Sequence, residues 1–279
     1  MINAGATTAT IPLASPPLMR EHLLDDQQVL SFILRGYHII EPQFPQGFNE
    51  SILAQLDGLP GNVGNAILDH VPQLREVYDH PSVRGALVSL LGNEMVVHGH
   101  RHCHIIPPGN LSQTWHQDGT NVRHHQIWTV LGMYYPHDVP AEMGPTMIMP
   151  GTHFRNAPSD RMATYGNLKG QVALTVKAGT VAITHYDLWH AGSMNRTNRK
   201  RYMLKFLFDR TREPVSPAWN HDADTADRIA TSRLQEMVGP QGYCSDFYKE
   251  WELRKALWHW MLGRNEPLPP GVTFRNMLT

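Results

Sequence analysis

A mainly β protein with flanking helices, a β-sandwich or jelly roll, is the fold class this sequence predicts, and three observations predict it. Six short β-rich runs follow one another through the middle of the chain: EMVVHGHRHCHII, QIWTVLGMYY, PTMIMPG, QVALTV, GTVAITH and RYMLKFLF. Gly, Pro and Asn punctuate them, as turns between strands require. Helical patterning is confined to the segments before and after this block, which argues against alternating βαβ units.

The elements follow in order. Residues 1–16 are rich in Ala, Thr and Pro and are expected to be mobile. Residues 17–279 are expected to form a single domain, with a helical lead-in (17–92), a β core (about 93–212) and a helical C-terminal segment (213–279). Asp25 and Asp26 can cap a helix reading QQVLSFILR, which Gly36 would stop. Asn49 is placed as the cap of a second helix running to about Leu56, and a third is expected from Ser82 to Leu91, before Gly92. After Pro214 the runs ADTADRIATSRLQEMVG and DFYKEWELRKALWHWMLG read as helices, with Trp251, Leu253, Leu257, Trp258 and Leu262 as packing residues.

Composition excludes several classes. The 279 residues carry 24 Lys+Arg against 25 Asp+Glu, so no strong field favours nucleic acid or an anionic membrane. No stretch approaches the roughly 20 apolar residues of a membrane helix, and the first residues lack the basic start and apolar run of a secretory signal. Cys103 and Cys244 lack zinc-finger spacing and are too few for a disulfide framework, which fits a reducing, cytoplasmic compartment. The sequence leaves a homodimer open.

The 17 histidines are the unusual count. In TWHQDG, His116 and Asp118 stand two apart, so on an extended segment both point to one side and can converge on one ion. A third ligand must come from elsewhere, and His190 in DLWHAG follows a β-rich run. Two His and one carboxylate on one face leave three metal positions open, the facial triad of non-haem iron(II) oxygenases. His185-Tyr186-Asp187 has the same H-x-D form, but it lies beside His190 and has no suitable later His partner outside the helical tail. His98, His100, His102 and His104 alternate along one strand face; at about 6–7 Å between alternate residues they are too far apart for four ligands on one ion. They read as pocket lining, as partners of a ligand imidazole, or as packing.

WHQDG, then GPTMIMPGTH, then KAGTVAITHYDLWHAGSMNRTNRKRY resemble the phytanoyl-CoA dioxygenase family of iron(II)/2-oxoglutarate-dependent oxygenases, over roughly residues 20–210. The resemblance implies a double-stranded β-helix (jelly-roll, cupin-like) core, with His116, Asp118 and His190 as iron ligands and 2-oxoglutarate and dioxygen as co-substrates. An Asp at 118 keeps the oxygenase pattern rather than a halogenase's Gly. The family's cation for the far carboxylate of 2-oxoglutarate falls eleven residues after the distal His, at Arg201, with Arg199 and then Arg196 as fallbacks. The planar guanidinium fork suits a carboxylate. Gln113 and Thr146 resemble further co-substrate contacts. The implied reaction oxidises a C–H bond of a small organic metabolite, a natural-product intermediate being favoured over an acyl-CoA, with release of succinate and carbon dioxide. Trp115, Trp128, Met133, Tyr134 and Tyr135 would supply an apolar pocket wall if they face inward. The alternatives are a zinc hydrolase on the same His/Asp/His set and a metal-binding β-sandwich sensor without turnover.

Overall fold

The computed structural model describes residues 11–12, 18–119, 124–155, 166–238, 245–264 and 267. Helix α1 (Asp26–Arg35) opens with a capping box. Asp25 Oδ1 accepts from the Gln28 N–H at 2.8 Å, and Gln28 Oε1 accepts from the Asp25 N–H at 2.9 Å. Only Asp25 is the cap. Asp26 is the first helical residue, and its carboxylate instead accepts from Trp219 Nε1 (2.7 Å), His221 Nδ1 (2.8 Å) and the Asp222 N–H (2.8 Å), tying the C-terminal segment to α1. Gly36 ends the helix at φ 80°, in the left-handed region, where a Cβ would also meet the His153 ring.

The second helix, α2 (Phe48–Asp57), corrects one expectation. Gly47 is its N-cap, and Asn49 lies inside it. The Asn49 side chain accepts from the Tyr134 hydroxyl at 2.6 Å, a partner 85 positions away that local patterning does not reveal. Two short helices, α3 (Ile67–His70) and α4 (Leu74–Asp79), precede α5 (Pro81–Leu91). Helix α5 begins at Pro81, whose missing N–H costs nothing in a first turn.

Among the described residues nine strands follow in order: β1 (Ile11–Pro12), β2 (Tyr37–Ile40), β3 (Val96–Ile106), β4 (Thr129–Tyr134), β5 (Thr146–Ile148), β6 (Val172–Ala173), β7 (Val181–His185), β8 (His190–Gly192) and β9 (Arg201–Asp209). They form a six-stranded sheet, ordered β1-β3-β9-β4-β7-β2, and a three-stranded sheet, ordered β6-β5-β8. All pairings between these strands are antiparallel. All six β-rich runs of the sequence supply strands. The strand after Gly36 and the two shortest helices were not anticipated. Of the N-terminal stretch expected to be mobile, only Ile11 and Pro12 are described, and they pair with Val97 and Val96.

Strand β9 sits between β3 and β4, and its two faces do different work. Tyr202, Leu204, Phe206 and Phe208 join the large core under the helices, where Tyr78 lies 4.3 Å from the Phe206 ring and 5.2 Å from that of Phe208. Burying each such phenylalanine contributes roughly 2 kcal/mol. The alternate residues Arg201, Met203 and Lys205 face the cavity described below, as the two-residue period of a strand requires.

At the C-terminal end, α6 (Ala226–Arg233) and α7 (Ser245–Met261) pack on α1. Leu253, Leu257, Trp258 and Leu262 are buried and Trp251 is partly buried against the same core, as expected of packing residues. Arg155 makes an ion pair with the fully buried Glu250 on α7. Cys103 is a buried free thiol, and Cys244 lies outside the described residues. Among the described residues no helix is long and apolar enough to cross a membrane.

Candidate metal centre

His116 and His190 are brought together by backbone. His116 donates its N–H to the His190 carbonyl (3.0 Å), and His190 returns its own to the His116 carbonyl (2.9 Å), an isolated antiparallel bridge. The two rings then lie 4.3 Å apart, centre to centre. Each imidazole is oriented by the carbonyl two residues before it: His116 Nδ1 bonds Thr114 O at 2.8 Å, and His190 Nδ1 bonds Leu188 O at 3.0 Å. A carbonyl only accepts, so Nδ1 carries the hydrogen in both rings. Nε2 is left as a lone pair, the tautomer a metal ligand needs. Burial pushes His190 down to about 4, which keeps it neutral at physiological pH.

Asp118 completes the group. One ligand atom from each of His116, Asp118 and His190 lies within 4.8 Å of the others, and these three are the only such set found among the described residues. Asp118 Oδ2 is 3.5 Å from His190 Nε2. Burial opposes ionisation of Asp118, but the neighbouring His190 and Lys205 outweigh it and hold the carboxyl below its usual range. His190 is uncharged at neutral pH, so the cation responsible there is Lys205, whose Nζ donates to Asp118 Oδ2 at 2.5 Å.

Beside the group lies a small cavity open to solvent, lined by His104, Gln113, His116, Leu131, Met133, Thr146, His190, Arg201, Met203 and Lys205. It therefore gathers every sequence-predicted site residue except Asp118, which reaches it through Lys205. Arg201 is 2 % exposed. One terminal nitrogen of its guanidinium donates to the Gly144 carbonyl, while its buried Nε has no hydrogen-bond partner. An unpartnered buried donor of a fixed cation is costly, and a carboxylate presented to that edge would satisfy it. Arg199 and Arg196 are exposed on the preceding turn. Thr146 Oγ1 accepts from the Tyr135 hydroxyl (3.2 Å), leaving its own hydrogen to donate. Gln113 Oε1 accepts from the Gly192 N–H (3.0 Å), leaving its NH2 to donate. The donor set thus fits a dication with a dicarboxylate beside it.

Other expectations fare differently. Of the five proposed wall residues only Met133 lines the cavity. Trp115 packs with Met149 and Ala191, Trp128 with Trp260 under the helices, Tyr134 in the main core, and Tyr135 behind Thr146. Leu131 and Met203 supply the rest of the apolar wall. Of the alternating histidines, His100, His102 and His104 bring their rings together, at 4.7 and 4.4 Å between centres: the His102 and His104 Nε2 atoms are 2.8 Å apart, and His104 reaches the cavity, while the strand is irregular between Val97 and Arg101, where His98 lies. Burial lowers His102 and His104, to about 4 and about 3, so they are neutral. The second H-x-D pair is buried behind the metal loop. Asp187 Oδ2 accepts from His124 Nε2 (3.1 Å), and His185 Nδ1 accepts from the Asp187 N–H (3.1 Å). Lys205 was missed in the sequence; its signal was its place four after Arg201 on the same strand face.

The chain matches the phytanoyl-CoA dioxygenase (PhyH) family over residues 21–203, and it belongs to that family. Comparison with curated protein sequences gives no match. Solved structures share the fold at low identity. The non-heme alpha ketoglutarate dependent carbocyclase SnoK from nogalamycin biosynthesis aligns at 21 % identity and TM-score 0.54, covering 81 % of this chain and 97 % of that one. HygX from Streptomyces hygroscopicus with nickel and 2-oxoglutarate bound aligns at 15 % identity and TM-score 0.55, covering 66 % and 86 %. The epimerase SnoN in complex with Fe3+, alpha ketoglutarate and nogalamycin RO aligns at 16 % identity and TM-score 0.54, covering 66 % and 82 %. The core is therefore the jelly roll of this oxygenase family, with flanking helices.

Proposed function

We propose that this protein is an iron(II)- and 2-oxoglutarate-dependent oxygenase that oxidises a C–H bond of a small organic molecule. The observation that carries the reading is the pairing of two features: the His116/Asp118/His190 group, with both Nε2 lone pairs turned inward, and the buried, half-satisfied Arg201 across one small cavity. Iron(II) with 2-oxoglutarate would supply the dioxygen activation, consuming 2-oxoglutarate and yielding succinate and carbon dioxide. His116, Asp118 and His190 would hold the metal on one face. Arg201 would pair with the far carboxylate of the co-substrate, and Thr146 and Gln113 would donate to its oxygens. Leu131, Met133 and Met203 would keep water from the open side. Proteins called carbocyclase and epimerase share this fold, so hydroxylation is one of several outcomes for the oxidised carbon. The nogalamycin RO bound by one neighbour supports a natural-product substrate.

Anaerobic addition of iron(II) and 2-oxoglutarate should give a weak visible charge-transfer band, and oxygen should then release succinate slowly without substrate. His116→Ala and Asp118→Ala should lose both. A folded wild-type protein that gives no band and no succinate, or a His116→Ala variant that keeps them, would overturn this reading; zinc on the same residues gives no band.

A further inference from the structure

We propose that Lys205 is the recognition point for a carboxylate on the primary substrate, which is thus a small organic monoanion with an aliphatic body. The inference rests on the iron and 2-oxoglutarate reading above. Lys205 is 7 % exposed, lies on the same face of β9 as Arg201 and Met203, and lines the cavity with them. Its ammonium is paired with Asp118 Oδ2, the same oxygen that faces His190 Nε2. A metal held by the three ligands draws on that carboxylate, and its charge is then committed twice.

The charges around the loaded site decide the matter. A dication, the Asp118 carboxylate, doubly charged 2-oxoglutarate and Arg201 cancel to zero. Lys205 then adds one positive charge with no counter-ion. Asp118 is the one carboxylate acting on the neighbouring His100, His102 and His104 among the described residues. Those imidazoles bring no negative charge. His102 stands opposite Lys205 in the β3–β9 register and His104 lines the cavity; neutral and bonded Nε2 to Nε2, the two rings keep one N–H between them that can donate to an anion. A buried ammonium whose one carboxylate is shared with a dication carries an uncompensated charge, which is strongly unfavourable. One monoanion, entering beside Leu131, Met133 and Met203, restores balance and gives the substrate's apolar body a wall.

The test titrates the anaerobic iron(II)/2-oxoglutarate protein with hexanoate and, at equal ionic strength, with hexanamide, reading binding by calorimetry and by perturbation of the charge-transfer band. Wild type should prefer hexanoate by about tenfold or more, the range of one charge-assisted hydrogen bond. Lys205→Met should abolish the preference and Lys205→Arg should keep it. If Lys205→Met fails to fold or to form the band, Lys205→Gln takes its place. Equal binding of the two probes, no binding of hexanoate, or a preference that survives removal of the ammonium (a carboxylate sitting on the metal) would overturn the proposal. Absence of the band from wild type before any probe is added marks instead the failure of the iron and 2-oxoglutarate reading, and the proposal falls with it.

Discussion

Replacing Gly119 by alanine should weaken metal binding although residue 119 offers no ligand atom. Gly119 follows Asp118 directly, and a Cβ there would overlap Asp187 Oδ1 and lie 2.7 Å from Asp187 Cγ. Asp187 is 4 % exposed, its other oxygen is bonded to His124 Nε2, and Oδ1 is already without a partner. The added carbon leaves two ways out. The loop can shift away from Asp187, an overpacking cost of about 1–3 kcal/mol that moves Asp118 with it. Alternatively the carboxylate can turn, breaking a buried charge-assisted bond for about 1.5–3 kcal/mol. Either way Gly119→Ala should lose about 2 kcal/mol, or roughly 4–8 °C in Tm for a chain of this size, and about tenfold in affinity for manganese(II) or anaerobic iron(II), as disturbed support of a ligand commonly costs. Asp187→Ala removes the obstacle, so alanine at 119 should cost less in that background, with a coupling of about 1 kcal/mol or more. Thermal melts and metal titrations of the two single variants and the double variant measure this. Wild-type Tm and affinity in Gly119→Ala, or strictly additive effects, would refute the steric argument.

Two further predictions follow from burial and charge. His153 and His185 are buried and held at about 3, against 6.5 when free; desolvation is the main cause for both. The unfolded chain therefore binds more protons below pH 6.5, and stability contributed above that pH is lost as pH falls towards 3. At pH 5.5 each histidine costs about 1.4 kcal/mol, so Tm should drop by about 5 °C or more between pH 7.5 and 5.5; a flat profile would contradict this. Separately, Arg201→Met should raise the 2-oxoglutarate concentration needed for half-maximal formation of the charge-transfer band by at least about tenfold, while Arg199→Ala, on the exposed turn, should change it less than twofold; the reverse order would place the carboxylate two residues upstream.

The parts of this molecule that were legible in the sequence are those whose signal is local. Strand runs announce themselves by β-branched and aromatic residues between turn formers, and the capping box at Asp25 and Gln28 is written within four positions. His116 and Asp118 share a face by spacing alone, and Arg201 followed from the family's fixed interval. What stayed hidden depends on partners distant in sequence. Asn49 looks like a helix cap until Tyr134 arrives from β4, and Asp26 looks like one until Trp219 and His221 fold back on it. Lys205 reads as an ordinary strand lysine, and only its contact with Asp118, 87 positions earlier, turns it into part of the site. The aromatic residues near the motifs misled for the same reason: which face of a strand meets the cavity is set by the sheet, not by the residue.

The order β1-β3-β9-β4-β7-β2 carries a consequence for how this chain is made. Its central strand, β9, is the last of the described strands to be synthesised; it holds Arg201 and Lys205 and bridges β3 and β4, neither of which pairs with the other. Until residue 209 has left the ribosome the large sheet stays in two unjoined pieces, with the sides of β3 and β4 that β9 will cover lacking backbone partners. Folding must wait for this non-local closure and should be slow, as expected where most pairings span long stretches of chain. A nascent chain stalled before β9 therefore presents open strand edges, a target for chaperones and for mispairing.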